Sequence, residues 1–166
     1  MTDQPDLIYE EALRIQASDC DFNRRAKPAA LFRHLSEAAG VHAERLGVGF
    51  EAMVARGLLW VHARMRVAFH RFPQSGDVVT IRSWPKAIER RLLYPRDFEI
   101  VDADGARLTA ATSAWLVVDA ATHRIVRPGS VDLDVPAVAR SVGLDDLAAR
   151  PAPKERRSWR RSPRGR

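Results

Sequence analysis

Cysteine is almost missing from this sequence, and so is any long apolar run. One cysteine in 166 residues, Cys20, excludes an intrachain disulfide framework and leaves no Cys cluster for zinc. A reducing cytoplasm is therefore the expected setting. No stretch approaches the length of unbroken apolar residues that a membrane-spanning helix needs. The start, Met1 to Pro5, is polar and acidic and is not expected to act as a signal peptide. Internal repeats are absent as well. What is present is a 46% hydrophobic chain, long enough for one domain with a sizeable core.

The net charge of +6 is unevenly spread. Residues 150–166 hold eight Lys and Arg against Glu155, so the tail carries +7 and residues 1–149 sum to −1. The body is near neutral and the tail alone is basic. Pro, Arg and Ser dominate 150–166, no core can form there, and disorder is expected. With Trp159 such a tail offers charge and stacking to RNA, DNA or an anionic membrane. It carries no folded nucleic-acid motif, so no specific nucleic-acid partner is expected.

The body is organised around one helix. Leu31, Leu35, Ala38, Ala39, His42 and Leu46 recur at helical spacing, Pro28 suits a first helical position and Gly47 a stop, so the helix should run from Pro28 to Arg45. The turn Asp19-Cys20-Asp21-Phe22-Asn23 leads into it, after a half-buried strand in which Leu7, Tyr9, Leu13, Ile15 and Ala17 alternate and which ends at Ser18. A short second helix is expected over Phe50 to Arg56, with Phe50, Met53 and Val54 inward and Gly57 as its cap. From Leu59 the period becomes two: Val61, Ala63, Met65, Val67 and Phe69 share one face, His62, Arg64, Arg66 and His70 the other. Further strands are expected over Val78–Trp84, about Arg91–Val101, Leu108–Asp119 and a short Arg124–Arg127 edge, with Asp102-Ala103-Asp104-Gly105 as a hairpin turn. After Pro128 the pattern fails, apart from a weak helix near Leu144–Ala149. The fold class is α+β, one antiparallel sheet curled around one long helix. Three segments follow: a domain over 1–130, a linker-like stretch over 131–149, and the basic tail over 150–166.

Particular stretches resemble a known family. They are Ser18-Asp19-Cys20-Asp21-Phe22-Asn23, Glu37-Ala38-Ala39-Gly40-Val41-His42-Ala43-Glu44-Arg45-Leu46-Gly47, Gly57-Leu58-Leu59-Trp60-Val61, Arg71-Phe72-Pro73 with Gly76-Asp77, Ser83-Trp84-Pro85, Arg96-Asp97-Phe98-Glu99-Ile100 and Ala111-Thr112-Ser113-Ala114-Trp115-Leu116. In this order and spacing they resemble the N-terminal hotdog domain of acyl-acyl-carrier-protein thioesterases, over roughly residues 7–130. The resemblance implies hydrolysis of the thioester joining a fatty acyl chain to the carrier protein's phosphopantetheine, the step that ends fatty-acid synthesis. It also implies two hotdogs per chain, with the catalytic residues mostly in the second. This sequence is too short for that second domain, and its end is expected to reflect a truncation or a shifted reading frame.

Thioester hydrolysis needs a group to activate water or attack the carbonyl, and donors for the developing oxyanion. Helix starts leave amides unpaired, so those after Pro28, at Ala29, Ala30 and Leu31, are the candidate donors. Asp21 matches the catalytic aspartate of the corresponding turn in related hotdog thioesterases, and Asn23 the asparagine two residues on. Where that turn carries a histidine, this sequence has Arg25, which cannot act as a base at neutral pH. The competing reading of Asp19, Asp21 and Asn23 is a hydrogen-bonded turn capping the helix. Glu37 matches helix carboxylates that act as base or nucleophile in some single-hotdog thioesterases; its competing role is an ion pair with Arg33. His42 should be packed and His34 exposed. No metal and no cofactor is expected.

Trp60, Met65, Phe69, Trp84, Phe98 and Trp115 form an apolar inventory that is mostly core, with the family adding an acyl tunnel between helix and sheet. Trp60 and Trp84, together with Arg96, are the candidate substrate-binding side chains. Arg64, Arg66, Lys86, Arg90, Arg91 and Arg96 suit an acidic carrier protein and equally suit an ordinary solvated strand face. The expected partners are an acyl-carrier-protein or CoA thioester of a fatty acid and a second copy of the chain, since an open sheet edge needs covering. The alternative function is a module that binds acyl thioesters without cleaving them.

Overall fold

The structure, a computed structural model, describes residues 7–144. Its elements are β1 (Tyr9–Arg14), a 3-10 turn (Ala17–Asp19), α1 (Pro28–Arg45), α2 (Phe50–Ala55), β2 (Leu58–Phe69), β3 (Val78–Pro85), β4 (Tyr94–Val101), β5 (Arg107–Asp119) and β6 (Ile125–Val126). The sheet order is β1-β3-β4-β5-β2, with β6 beside β5 and every pairing antiparallel. One long helix lies on one face of this single sheet, the α+β architecture expected from the sequence.

α1 forms where the apolar stripe and its stops coincide. Pro28 opens it, and Gly47 follows its end at φ +71°, a left-handed conformation glycine adopts without strain. Ala30, Leu31, Leu35, Ala38, Ala39 and His42 are buried, and of these Leu31, Leu35, Ala38 and Ala39 pack in one cluster with Val79, Ile81, Phe98, Ile100 and Ala111. Leu46, placed in the same stripe by spacing, is only half-buried because the helix has already ended.

Three expectations shift. β2 does not keep one phase: its register breaks between His62 and Arg64, so Ala63 is the extra residue of a bulge. Leu58 and Trp60 turn inward before the bulge, Met65, Val67 and Phe69 after it, and Val61 and Ala63 are left exposed. In α2 only Met53 is buried; Phe50 is 65% exposed and Val54 also faces outward, because so short a helix meets the body through one central side chain. β1 is shorter than its apolar alternation, since the chain tightens into the 3-10 turn at Ala17 while Ile15 still packs inside.

Residues 129–144 have no regular element, yet they are packed. Val131, Leu133 and Val135 sit beside Tyr94 and Val117, and Val138, Val142 and Leu144 cover Trp84 and Ala110 on the opposite face of the sheet. The helix expected near Leu144–Ala149 and the basic tail at 150–166 lie outside the described residues. No helix among the described residues is long and apolar enough to cross a membrane.

Candidate functional site: an apolar cavity beside the central helix

Pairing in the sheet sorts side chains by face. Tyr94, Arg96, Phe98 and Ile100 of β4 pair with Trp115, Ser113, Ala111 and Thr109 of β5, and all point to the helix side. Towards its N-terminal half α1 closes on this face. Towards its C-terminal half it does not close on the β2 side, and α2 bridges the gap. The space left is a cavity of about 350 Å³. α1 contributes Ser36, Ala39, Gly40 and Ala43, α2 contributes Phe50 and Met53, and Trp60, Tyr94, Arg96 and Trp115 come from the strands. Such a volume with a mostly apolar lining is typical of small-ligand sites.

Its walls are fixed by hydrogen bonds outside the apolar surface. Trp60 donates Nε1–H to the Val48 carbonyl at 2.7 Å, and Trp115 donates to Ser113 Oγ at 2.8 Å. Trp60 also meets Tyr94 edge to face, with ring centroids 5.0 Å apart. At the exposed rim, Glu44 Oε1 accepts the Phe50 amide at 2.7 Å and so caps the start of α2. Gly49 permits this: a Cβ there would lie 2.0 Å from the Glu44 carboxyl carbon. Gly40 is different, since a Cβ on it would meet nothing within 4 Å. A glycine inside a helix with open space beside it was a sequence signal for the cavity that periodicity did not register.

Arg96, one of the group of residues that suited a solvated strand face, is only 7% exposed. Its Nη1 donates to His42 Nδ1 at 2.9 Å and to Ser83 Oγ at 2.8 Å. Burial pulls the guanidinium down to about 10, which still leaves it charged at neutral pH. His42 is packed, as its place in the stripe predicts.

The remaining sequence candidates sit elsewhere. Trp84 is on the other face of the sheet, donating to the Arg140 carbonyl at 2.9 Å beneath Val142. Ala29 is exposed and Ala30 is buried in the core; the amides of Ala30 and Leu31 already donate to the Lys27 carbonyl at 3.0 and 3.2 Å. None of these three lines the cavity. Asp21 and Asn23 are exposed in the turn before α1, where Asp21 Oδ1 accepts the Asn23 and Arg25 amides at 2.9 and 3.0 Å. That is a turn-closing use of the carboxylate, while Oδ2 makes no hydrogen bond among the described residues.

A second polar group lies close to that turn. Asp19, almost fully buried, accepts from Arg33 Nη2 at 2.5 Å and meets His34 Nε2 at 3.0 Å. His34 Nδ1 is 3.3 Å from Glu37, and Arg33 Nε is 3.6 Å from the same carboxylate. His34, expected to be exposed, is instead held between two carboxylates with a side chain 11% exposed. The His34 ring, helped by Arg33, holds the Asp19 carboxyl below its ordinary range against the opposing effect of burial. Glu37 itself is exposed and is adjacent in sequence to Ser36, at the near end of the cavity. Cys20 is half-buried, and burial pushes its thiol up, away from nucleophilic thiolate. Among the described residues no three His, Cys, Asp or Glu side chains converge as a metal ion requires.

Comparison with known proteins matches this geometry. Residues 6–130 match the family model for the acyl-ACP thioesterase N-terminal domain. The palmitoyl-acyl carrier protein thioesterase, chloroplastic, of Gossypium hirsutum is 33% identical over 129 residues, which cover 74% of this chain and 31% of that protein. The chain therefore spans about a third of the length of that relative. The solved 12:0-ACP thioesterase from Umbellularia californica is 29% identical, with a TM-score of 0.67 over 75% of this chain and 50% of that one. An acyl-ACP thioesterase from Bacteroides thetaiotaomicron, 24% identical, superposes with a TM-score of 0.70 over 82% of this chain and 58% of its own, which speaks for the fold. A single sheet curled on one helix, a match to the family over most of its length and a cavity on the helix flank place this chain, as a hotdog, in the acyl-ACP thioesterase N-terminal domain family.

Proposed function

We propose that this chain holds the fatty acyl group of an acyl-carrier-protein or CoA thioester in the cavity beside α1, as the acyl-binding hotdog of a thioesterase that releases free fatty acid. The observation that carries this reading is the 350 Å³ apolar cavity between the C-terminal half of α1, α2 and the sheet. Each methylene buried there contributes about 0.8 kcal/mol, so chain burial alone supplies substantial affinity. Hydrolysis consumes only water, so no cofactor enters. A reducing cytoplasm is the compartment we assign, in keeping with the single cysteine.

In this reading Asp21 acts through Oδ2 as the base for the attacking water, while its Oδ1 stays bonded in the turn. Asn23 orients the water or the thioester carbonyl, and the Ala29 amide at the start of α1 is the remaining oxyanion donor. Glu37 is the second carboxylate, oriented by His34, which in turn is held by Asp19. The second hotdog is supplied by another copy: among the described residues β2 has β5 as its one neighbour in the sheet, and its other edge, including exposed Val61, is the one offered for pairing.

The second reading, binding without cleavage, is favoured by a specific observation. Arg25 stands where the active turn carries histidine, and Asp21 is partly committed to backbone amides. The full chain, given dodecanoyl-acyl-carrier-protein and dodecanoyl-CoA, is expected to release free thiol. Asp21→Asn and Glu37→Gln are each expected to slow release at least tenfold with little change in KM. Tight retention of the acyl thioester without any thiol release would replace hydrolysis by the second reading.

A further inference from the structure

An arginine side chain buried in an apolar wall is costly unless something answers its charge. At Arg96 nothing anionic does so among the described residues: it has no ion pair, and both of its hydrogen bonds leave from Nη1 to neutral acceptors. His42 must be one of those neutral acceptors, because arginine only donates and Nδ1 therefore carries no proton. The two Nη1 protons are thus spent on His42 and Ser83. The Nε–Nη2 edge, a parallel pair of donors spaced for a carboxylate, finds no acceptor among the described residues. Arg96 belongs to the buried part of the lining, as do Ala39, Met53 and Tyr94, whereas Ser36, Gly40, Glu44 and Phe50 of the same lining are exposed. Among the described residues the only other charged side chain in the lining is Glu44, which is exposed and occupied with the Phe50 amide.

We propose that Arg96 is a carboxylate-binding site at the buried end of the cavity, and that the cavity takes an aliphatic chain ending in a carboxylate. The proposal rests on the cavity being an acyl site and adds the chemistry of its far end. Two ligands carry that chemistry. A free fatty acid entering carboxylate-first would occupy the cavity as a product that competes with substrate, and a dicarboxylic acyl thioester would place its distal carboxylate there. In both, the chain fills the apolar length between α1 and Trp60 and Trp115 while the carboxylate takes the side-on fork of the guanidinium.

The test uses quenching of Trp60 and Trp115 in the full chain, titrated with four probes. These are dodecanoate, methyl dodecanoate, dodecanoyl-N-acetylcysteamine and 11-carboxyundecanoyl-N-acetylcysteamine. A preference of tenfold or more for dodecanoate over its methyl ester supports the site and identifies the free acid as its ligand. The same preference for the carboxy-tipped thioester over the plain one supports it and identifies the dicarboxylic acyl group. Arg96→Met should abolish either preference and Arg96→Lys should keep part of it, with melting curves recorded to verify that both variants fold. The wild-type comparison stands without them. Equal affinity for acids and esters would overturn the carboxylate site and leave the acyl cavity intact. Failure of all four probes to bind would overturn both.

Discussion

The two faces of the sheet are built by different physics. On the helix face, Leu31, Leu35 and Ala38 close on Ile81, Phe98 and Ile100, and the order comes from apolar packing that ends in a cavity. On the other face, β4 presents Asp97 and Glu99, both buried, and the chain beyond Pro128 is drawn across them. Glu99 pairs with Arg107 at 3.0 Å, with Arg82 at 3.4 Å, and with Arg140. Asp97 accepts the Val142 amide at 3.1 Å and lies 3.4 Å from Lys86 Nζ. Arg140 also stacks over Trp84, its guanidinium 4.6 Å from the ring centroid. The lesson is a division of labour: the covered back face stabilises β4 from behind, which allows the helix face to leave a gap without losing the sheet.

That division sets the order of expected effects. Trp84→Ala should be the largest, removing a fully buried side chain and the anchor for residues 138–144, at a cost of about 4 kcal/mol in urea unfolding. Below its melting temperature the same variant should bind an acyl probe as the wild type does, because Trp84 does not touch the cavity. Loss of acyl affinity with the fold intact would show that the faces are coupled.

Glu99→Gln should cost less, about 2 kcal/mol, since the three arginines around it are partly solvated and can turn to water. Salt should weaken the wild type and leave the variant nearly unaffected, a contrast measurable by melting at two ionic strengths.

Asp19→Asn sharpens the comparison from the helix side. The Asp19 pKa is depressed in the folded chain by His34 and Arg33, so ionised Asp19 stabilises the fold above its unfolded value, about 3.9, and that contribution is lost as pH falls through the folded value. The wild type is therefore expected to exceed Asp19→Asn by about 2 kcal/mol at pH 6, a gap that closes in strong acid. Denaturant midpoints measured from pH 6 to pH 2 check the sign. A gap that widens on acidification would contradict the assignment.

Much of this was legible in the sequence, and the reasons differ by element. α1 was readable to the residue because Pro28, a clean stripe and Gly47 agree. The bulge in β2 was not, since an inserted Ala63 leaves the alternation looking unbroken on either side. The packing of 131–144 was invisible because irregular backbone has no period; its apolar residues are spaced by where the chain happens to touch Trp84 and Tyr94. Arg96 carried a signal that charge obscured: it shares its phase with Tyr94, Phe98 and Ile100, and phase, not residue type, decides which way a strand side chain points. His34 sits near Asp19 only through the turn, a contact no spacing rule encodes.

The most direct measurement is acyl affinity in a chain whose cavity has been filled at Gly40. Gly40→Ala is expected to stabilise α1 by about 0.5–1 kcal/mol, since a Cβ there meets nothing. Gly40→Leu projects its side chain into the cavity and should lower the affinity for dodecanoyl thioester at least tenfold while the fold stays intact. Unchanged affinity in a folded Gly40→Leu chain would mean that the acyl group does not lie beside α1.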